Sequence, residues 1–77
     1  MSTSATNKSP LARKVRFDEK RFYVLLDDER ELGIPLDWFK KLKSASLLEL
    51  NEYRLIGQGE GIHWESLDED ILIEALL

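Results

Sequence analysis

The spacing of apolar residues changes at Pro35, and this change constrains the fold more than any other feature of the sequence. Before it, apolar and polar residues alternate, as in residues 15–18, which is the period of a half-buried β-strand. After it, Leu36, Phe39 and Leu42 recur at intervals of three, which is helical spacing. Because proline offers no amide hydrogen and holds its predecessor extended, Pro35 fits the end of a strand. The sequence therefore predicts strands first and helical structure afterwards.

Three short strands are predicted in the first part of the chain. Residues 15–17 alternate, residues 21–26 are rich in aromatic and β-branched side chains, and residues 32–34 alternate again. Charged residues at 18–20 and 27–29 separate them, as is typical of turns. Two successive hairpins of this kind form an antiparallel β-meander.

Helix starts are predicted from capping patterns. Asp37 is the predicted N-cap of the first helix, which carries lysines near its C-terminal end, where cations stabilise the helix dipole. Ser46 and Glu49 have the spacing of a capping box and predict a second short helix. Ser66 and Glu69 repeat that spacing and predict a terminal helix. The apolar contacts of the second helix are assigned to Leu47, Leu48 and Leu50.

Three glycines, Gly57, Gly59 and Gly61, alternate between two further predicted strands. Loops that bind phosphate place glycines between a strand and a helix, and here no lysine follows. We therefore interpret the glycines as a hairpin loop or bulge that needs positive φ angles.

The strand after the glycines has the alternation of a half-buried strand. Ile62 and Trp64 are predicted to face the core, and His63 and Glu65 to face away from it.

The predicted fold class is α+β: an antiparallel β-meander, one or two short helices, then a β-hairpin and a short C-terminal helix. Residues 70–77 are left open between helix and strand, because the run at 71–73 fits either. We expect residues 1–11 to be a disordered N-terminal tail and residues 12–77 to form a single small domain. A domain of this size leaves little room for a deep active-site pocket.

Charge and composition narrow the choice of partners. Residues 1–43 carry ten of the eleven basic side chains and a net charge of +3, whereas residues 44–77 carry −7. The overall acidity argues against a nucleic-acid partner. The absence of cysteine fits a cytoplasmic location, and no apolar run is long enough to span a membrane. The candidate basic face, should nucleic acid bind, is Arg13, Lys14, Arg16, Lys20 and Arg21.

No catalytic, metal or cofactor site is predicted. His63 is the only histidine, and a zinc site normally needs three or four protein ligands. Acid–base catalysis by Asp68 or Asp70 would require one carboxylate to be buried in a cleft, and helix capping is the simpler interpretation. Trp38 and Trp64 are interpreted first as core residues and otherwise as contact hot spots. The candidate interaction residues are Trp38, His63, Trp64, Glu65, Asp68, Glu69 and Asp70.

The order of these motifs resembles a small bacterial family, domain of unknown function 2442. The resemblance covers residues 14–77. It rests on the meander ending in "GIPLDWFKKL", then "YRLIGQGEGIHWESLDEDI" and a terminal "EALL". It implies a compact α+β domain with no established activity, often encoded beside another small protein in pairs that resemble toxin–antitoxin modules. Some members add a helix-turn-helix domain, which is not seen after Leu77. The chain departs from the family at Glu29, where a glycine-containing turn is common, and at Glu65, where proline is common.

Three hypotheses follow for the function. The leading one is a non-catalytic protein-interaction module, in its specific form the antitoxin-like member of a two-gene pair whose partner is a basic small protein encoded by the adjacent gene. The second is nucleic-acid binding through the basic N-terminal half, and the third is a carboxylate enzyme. A homo-oligomer is a further expectation, formed either through the edge strand at residues 15–17 or by head-to-tail contact.

Overall fold

The computed structural model describes residues 9–77, which form two antiparallel three-stranded sheets. The first sheet contains β1 (Ala12–Phe17), β2 (Arg21–Leu26) and β3 (Glu31–Pro35), in that spatial order. The second contains β4 (Tyr53–Ile56), β5 (Gly61–Trp64) and β6 (Glu69–Leu72), again in order. Between the sheets, the chain forms a 3-10 turn, Leu36–Trp38, and two helices, α1 (Lys40–Lys43) and α2 (Leu47–Leu50). This arrangement confirms the predicted α+β class.

The core joins both sheets and α2 through large aromatic side chains. Phe22 of β2 and Trp64 of β5 are fully buried, with ring centroids 6.3 Å apart in an edge-to-face arrangement. The indole N–H of Trp64 donates to the carbonyl of Leu50 at 2.9 Å, so the polar atom of this side chain is satisfied inside the core. Burying side chains of this size contributes about 1.5–3 kcal/mol each, which makes this cluster the main link between the sheets.

The predicted first helix is interrupted. Phe39 has an extended backbone, φ −131° and ψ 110°, and its ring packs against Phe22 at 6.1 Å between centroids. The prediction that Asp37 is an N-cap is wrong: Pro35 precedes the 3-10 turn, Phe39 is the N-cap of α1, and neither helix start has a side-chain cap. Asp37 forms an ion pair with Lys43 instead, at 3.5 Å.

The two predicted capping boxes have opposite outcomes. Ser46 and Glu49 form a complete box at the start of α2, with both reciprocal hydrogen bonds present. Ser66 does not start a helix, because residues 65–68 form the turn between β5 and β6 and Glu69 belongs to β6. Pairing of Ile62 with Ile71 across these strands buries both side chains, which a helix at this point would prevent.

The chain ends in a single 3-10 turn, Ile73–Leu76, after β6. Residues 70–77, which the sequence left open between helix and strand, are therefore first strand, in β6, and then a 3-10 turn. Ile73 and Leu76 are buried, so this turn closes one end of the core.

The glycine-rich stretch is a tight turn, as predicted. φ is positive at Gly57, Gln58 and Gly59, at 59°, 60° and 109°. A Cβ atom on Gly59 would lie 2.4 Å from the carbonyl oxygen of Ala12, so only glycine allows the loop to approach β1 this closely.

The predicted N-terminal tail lies mostly outside the described residues, which begin at Ser9. Leu11, assigned to that tail, is tied to the β2–β3 turn: its N–H donates to the Asp27 carboxylate at 3.2 Å, and its carbonyl accepts from the Asp27 N–H at 2.8 Å. None of the helices in residues 9–77 has the length and apolar character needed to cross a bilayer.

Candidate interaction surface

The two tryptophans have opposite environments. Trp38 is 63% exposed, whereas Trp64 has no exposed surface. Trp64 is therefore a core residue and cannot contact a partner directly, so its place among the candidate interaction residues was wrong. Trp38 ends the 3-10 turn, and the extended backbone of Phe39 sends the next aromatic ring into the core while Trp38 remains outside. An exposed tryptophan is the side chain most enriched at contact hot spots.

Two leucines of α2 are exposed as well. Leu47 is 55% and Leu48 is 73% exposed, whereas Leu50 is buried. The prediction that all three provide internal contact is wrong for Leu47 and Leu48, because a helix of four residues buries one face only. The sequence did contain a signal for this surface: three leucines within four residues exceed what one helix face can bury.

A groove lies between α2 and the β1–β2 turn, and we call it the α2 groove. Its volume is ≈ 660 Å³. It is lined by Asp18, Glu19, Lys20, Arg21, Leu36, Lys43, Ala45, Leu47 and Leu50. The apolar members come from the segment between the two sheets, and the charged ones come mainly from the hairpin turn. Trp38 is not part of this lining, but its neighbour Asp37 forms an ion pair with Lys43, which is.

The Asp18 carboxylate accepts hydrogen bonds within the β1–β2 hairpin. Its Oδ1 accepts from the N–H groups of Lys20 and Arg21, both at 2.8 Å, and its Oδ2 accepts from the Tyr23 hydroxyl at 3.0 Å. These bonds, first the one from Lys20, lower the pKa of Asp18. Lys20 and Arg21 donate only backbone groups here, and their side chains line the α2 groove together with Asp18 and Glu19.

The candidate basic face is divided in the structure. Arg16 is engaged: its guanidinium pairs with Glu31 at 3.2 Å and lies 4.0 Å from the centre of the Tyr23 ring. The Glu31 hydrogen bond raises the pKa of Arg16. Arg13 and Lys14 are both exposed because a β-bulge at this point of β1 turns two consecutive residues outwards. Lys20 and Arg21 belong to the α2 groove instead, so the five residues do not form one continuous surface.

The acidic residues of the second sheet are mostly paired within the chain. Glu65 lies 3.9 Å from Arg54, and Glu69 lies 3.9 Å from Lys41. The Lys41 ammonium also donates to the backbone carbonyl of Asp68 at 2.9 Å. This surface is therefore less negative than the composition of residues 44–77 implies.

His63 faces outwards, as the alternation predicted, and pairs with Asp70 across β5 and β6. Because a carboxylate only accepts, the Nδ1–H of the imidazole donates to Asp70 Oδ1. Arg54 lies opposite His63 on the other side, in β4. The three side chains form one row across the outer face of the second sheet.

The carboxylates and the histidine of residues 9–77 lie at the surface and are not grouped. Within residues 9–77, no three His, Asp or Glu side chains are grouped to hold a metal ion, and no polar or charged side chain is buried. Asp68 and Asp70, the carboxylates considered for acid–base chemistry, are both exposed. The exposed large apolar side chains of this region are Trp38, Leu47 and Leu48, beside the charged lining of the α2 groove.

Comparison with known proteins agrees with this α+β architecture. A sequence model of the family described as "Protein of unknown function (DUF2442)" matches residues 12–77. The chain belongs to this family. Its membership confirms the resemblance found in the sequence, and no curated protein matches the chain.

Two solved structures resemble this DUF2442 protein. A protein of unknown function from Rhodospirillum rubrum is 34% identical, with 90% of this chain and 86% of that chain covered and a TM-score of 0.79. An uncharacterised protein from Chromobacterium violaceum is 27% identical, with 95% of this chain and 68% of that chain covered and a TM-score of 0.74. Both support the fold and neither carries an assigned activity.

Proposed function

We propose that this DUF2442 protein is a non-catalytic interaction module that binds a partner protein through Trp38, Leu47, Leu48 and the α2 groove. The observation that carries the proposal is the exposure of Trp38, at 63%, beside an aromatic core that holds Trp64 at 0%. Large apolar side chains clustered at a surface are characteristic of interaction sites in small soluble domains.

The residues that line the groove indicate which side chains a partner would place against it. Its lining includes the apolar side chains of Leu36, Ala45 and Leu50 and the cationic side chains of Lys20 and Arg21. A segment with apolar side chains flanked by carboxylates would bury the first against the apolar lining and pair the second with these cations. Rim charges of this kind mainly accelerate association and select the partner, whereas the apolar contacts supply most of the affinity.

The acidic half of the chain supports this choice of surface by its internal pairing. We expected it to attract a basic partner, but Arg54 and Lys41 already engage Glu65 and Glu69. This pairing reduces the negative charge that a basic partner would meet, whereas it does not affect the apolar contacts that the exposed leucines of α2 offer.

The partner to test first is the protein encoded by the adjacent gene, as the family resemblance suggests. Co-expression of the two chains, with an affinity tag on one, should recover both in a stable complex. Trp38→Ala and Leu48→Ala should weaken recovery strongly. Leu77→Ala is the matched control, because Leu77 is also an exposed apolar residue, at 53%, but lies at the chain end. Recovery that is equal for all three variants would contradict the proposal.

The antitoxin-like role is the specific form of the proposal and has its own experiment. Expression of the neighbouring protein alone should slow growth, and co-expression of the wild-type chain should restore it. The Trp38→Ala variant, shown by circular dichroism to be folded, should fail to restore growth. If the neighbour is harmless alone but still forms the complex, the interaction module stands and the antitoxin-like role is wrong.

A further inference from the structure

The outer face of the second sheet has a pattern that is complementary to itself. Across β4, β5 and β6, the register aligns Arg54, His63 and Asp70 in one row. A cation therefore lies on one edge strand and an anion on the other. Their side chains are 65% and 64% exposed, so both charges are available to a second molecule despite their contacts within the chain.

A second row on the same face repeats the arrangement with apolar residues. Ile56, Gly61 and Leu72 are aligned across the three strands. Gly61 has no side chain, and a Cβ atom there would lie 3.2 Å from Ile56 Cγ1, so Ile56 leans over the central strand. Leu72 is 57% exposed on the opposite edge. The central strand thus presents a shallow depression between two apolar side chains.

From these two rows we propose that the protein forms a homodimer through this face, about a two-fold axis that runs along β5. Such an axis exchanges the two edge strands while the central strand stays on the axis. Arg54 of one copy then lies over Asp70 of the other, and Ile56 lies over Leu72, each contact occurring twice. The occupant of this face is a second copy of the chain, because the exposed cation and anion of its edge strands match those of that copy, and the half-buried His63 of each copy then faces the other across the axis.

The outer face of the first sheet is not suited to the same kind of self-association. Arg21 lies at the start of its central strand, so an equivalent axis along β2 would bring two guanidinium groups together. The edge strand that we expected to pair between molecules is engaged, because the N–H of Val15 donates to the hydroxyl of Tyr53 at 3.1 Å. Edge-to-edge pairing through β1 would have to break this contact.

The contact area of this face is small, and this limits the affinity of one copy for the other. Three strands about 4.8 Å apart and four residues long give a contact face roughly 13 Å on each side. This area is well below the roughly 1,000 Å² of total buried surface that accompanies stable association. The dimer is therefore weak, with a dissociation constant of about 100 µM to 1 mM, and it is populated at millimolar protein concentration.

A charge-swap experiment tests the dimer and its axis together. Sedimentation equilibrium of the wild-type chain, from micromolar to millimolar concentrations, should show a reversible monomer–dimer transition. Arg54→Asp and Asp70→Arg should each raise the dissociation constant about tenfold, because each places like charges opposite one another twice. An equimolar mixture of the two variants should dimerise again, since every contact then joins opposite charges. Glu52→Arg, a charge reversal in the loop before β4, serves as the control and should match the wild type.

Two results would overturn the proposal: a wild-type chain that stays monomeric at millimolar concentration, or a mixture of the variants that associates no better than each variant alone. Because Trp38 and the α2 groove are untouched in these variants, binding of the partner protein should persist in all of them. Loss of self-association and loss of partner binding can therefore be distinguished.

Discussion

The hydroxyl of Tyr53 accepts a hydrogen bond from the backbone N–H of Val15 at 3.1 Å. These residues are 38 positions apart, in β4 and β1, so the bond connects the two sheets at a partly buried point. It also occupies a donor on an edge strand that would otherwise be open to pairing with another chain.

Tyr53→Phe should lower the free energy of unfolding by about 1 kcal/mol, because it leaves the Val15 N–H without its acceptor. Urea denaturation followed by tryptophan fluorescence measures this change. Tyr23→Phe is the matched control, since the Tyr23 hydroxyl donates to Asp18 at an exposed position, and it should cost less. Equal losses in both variants would show that the sheet-to-sheet bond has no special importance.

Gly59→Ala should destabilise the protein by about 2 kcal/mol or more, because its Cβ atom meets the backbone of Ala12 and its φ is unfavourable for alanine. The midpoint of thermal unfolding should fall accordingly. Gly33→Ala provides the comparison. Gly33 lies in β3, and the atom nearest to its added Cβ would be Cε2 of the Tyr23 side chain, at 3.2 Å. If Gly33→Ala proved as harmful as Gly59→Ala, the close approach of the loop to β1 would not be the cause.

Glu29→Gly should stabilise the protein, although it removes a side chain. Glu29 has φ 75° and follows a tight turn in which its N–H donates to the carbonyl of Leu26 at 3.0 Å. Left-handed backbone costs a non-glycine residue about 1–2 kcal/mol, which outweighs the entropy cost of glycine, so a net gain of about 0.5 kcal/mol is expected. Chemical denaturation should show a higher midpoint than the wild type. Glu19→Gly, in the other hairpin turn and without positive φ, should be destabilising.

Acid should unfold the protein partly through Asp18. Hydrogen bonds from the backbone of Lys20 and Arg21 lower the pKa of this carboxyl in the folded chain. Its stabilising contribution is therefore complete above the ordinary aspartate pKa of about 3.9 and is lost as the pH falls through the lowered folded value. Asp18→Asn should flatten the decline of unfolding free energy between pH 5 and pH 2.

Denaturant titrations at several pH values measure that slope. Asp28, whose pKa is lowered first by the N–H of Arg30, should add to the same decline in the wild type. Glu52→Gln lies away from both turns and should keep the wild-type acid profile. An unchanged slope in Asp18→Asn would show that the turn is not coupled to global folding.

The meander, the capping box at Ser46 and the glycine turn could be predicted from the sequence, because each depends on local chemistry. The capping pattern at Ser66 predicted a helix start, and residues 70–77 were left open between helix and strand. The pairing of Ile71 with Ile62 decides for a strand at Glu69–Leu72, and the apolar spacing of this segment alone does not encode that pairing. The family could also be recognised, from motifs near His63.

The candidate site was harder to predict than the fold. Strand alternation predicted that Trp64 faces the core, whereas helical spacing could not predict the exposure of Trp38, because Phe39 interrupts the helix and takes the core position. Leu47 and Leu48 look like core residues until α2 is known to have four residues. The ion pairs that neutralise the acidic surface join residues up to 28 positions apart, as in Lys41 and Glu69.

The central claim, that this DUF2442 protein binds a partner through Trp38 and the α2 surface, is tested most directly by calorimetric titration. The purified product of the adjacent gene would be titrated with the wild-type chain, with Trp38→Ala and with Leu77→Ala. We predict a saturable interaction that Leu77→Ala preserves and that Trp38→Ala weakens about 30-fold or more, as expected for a hot-spot tryptophan. An equal affinity for the wild-type chain and the folded Trp38→Ala variant would contradict the account.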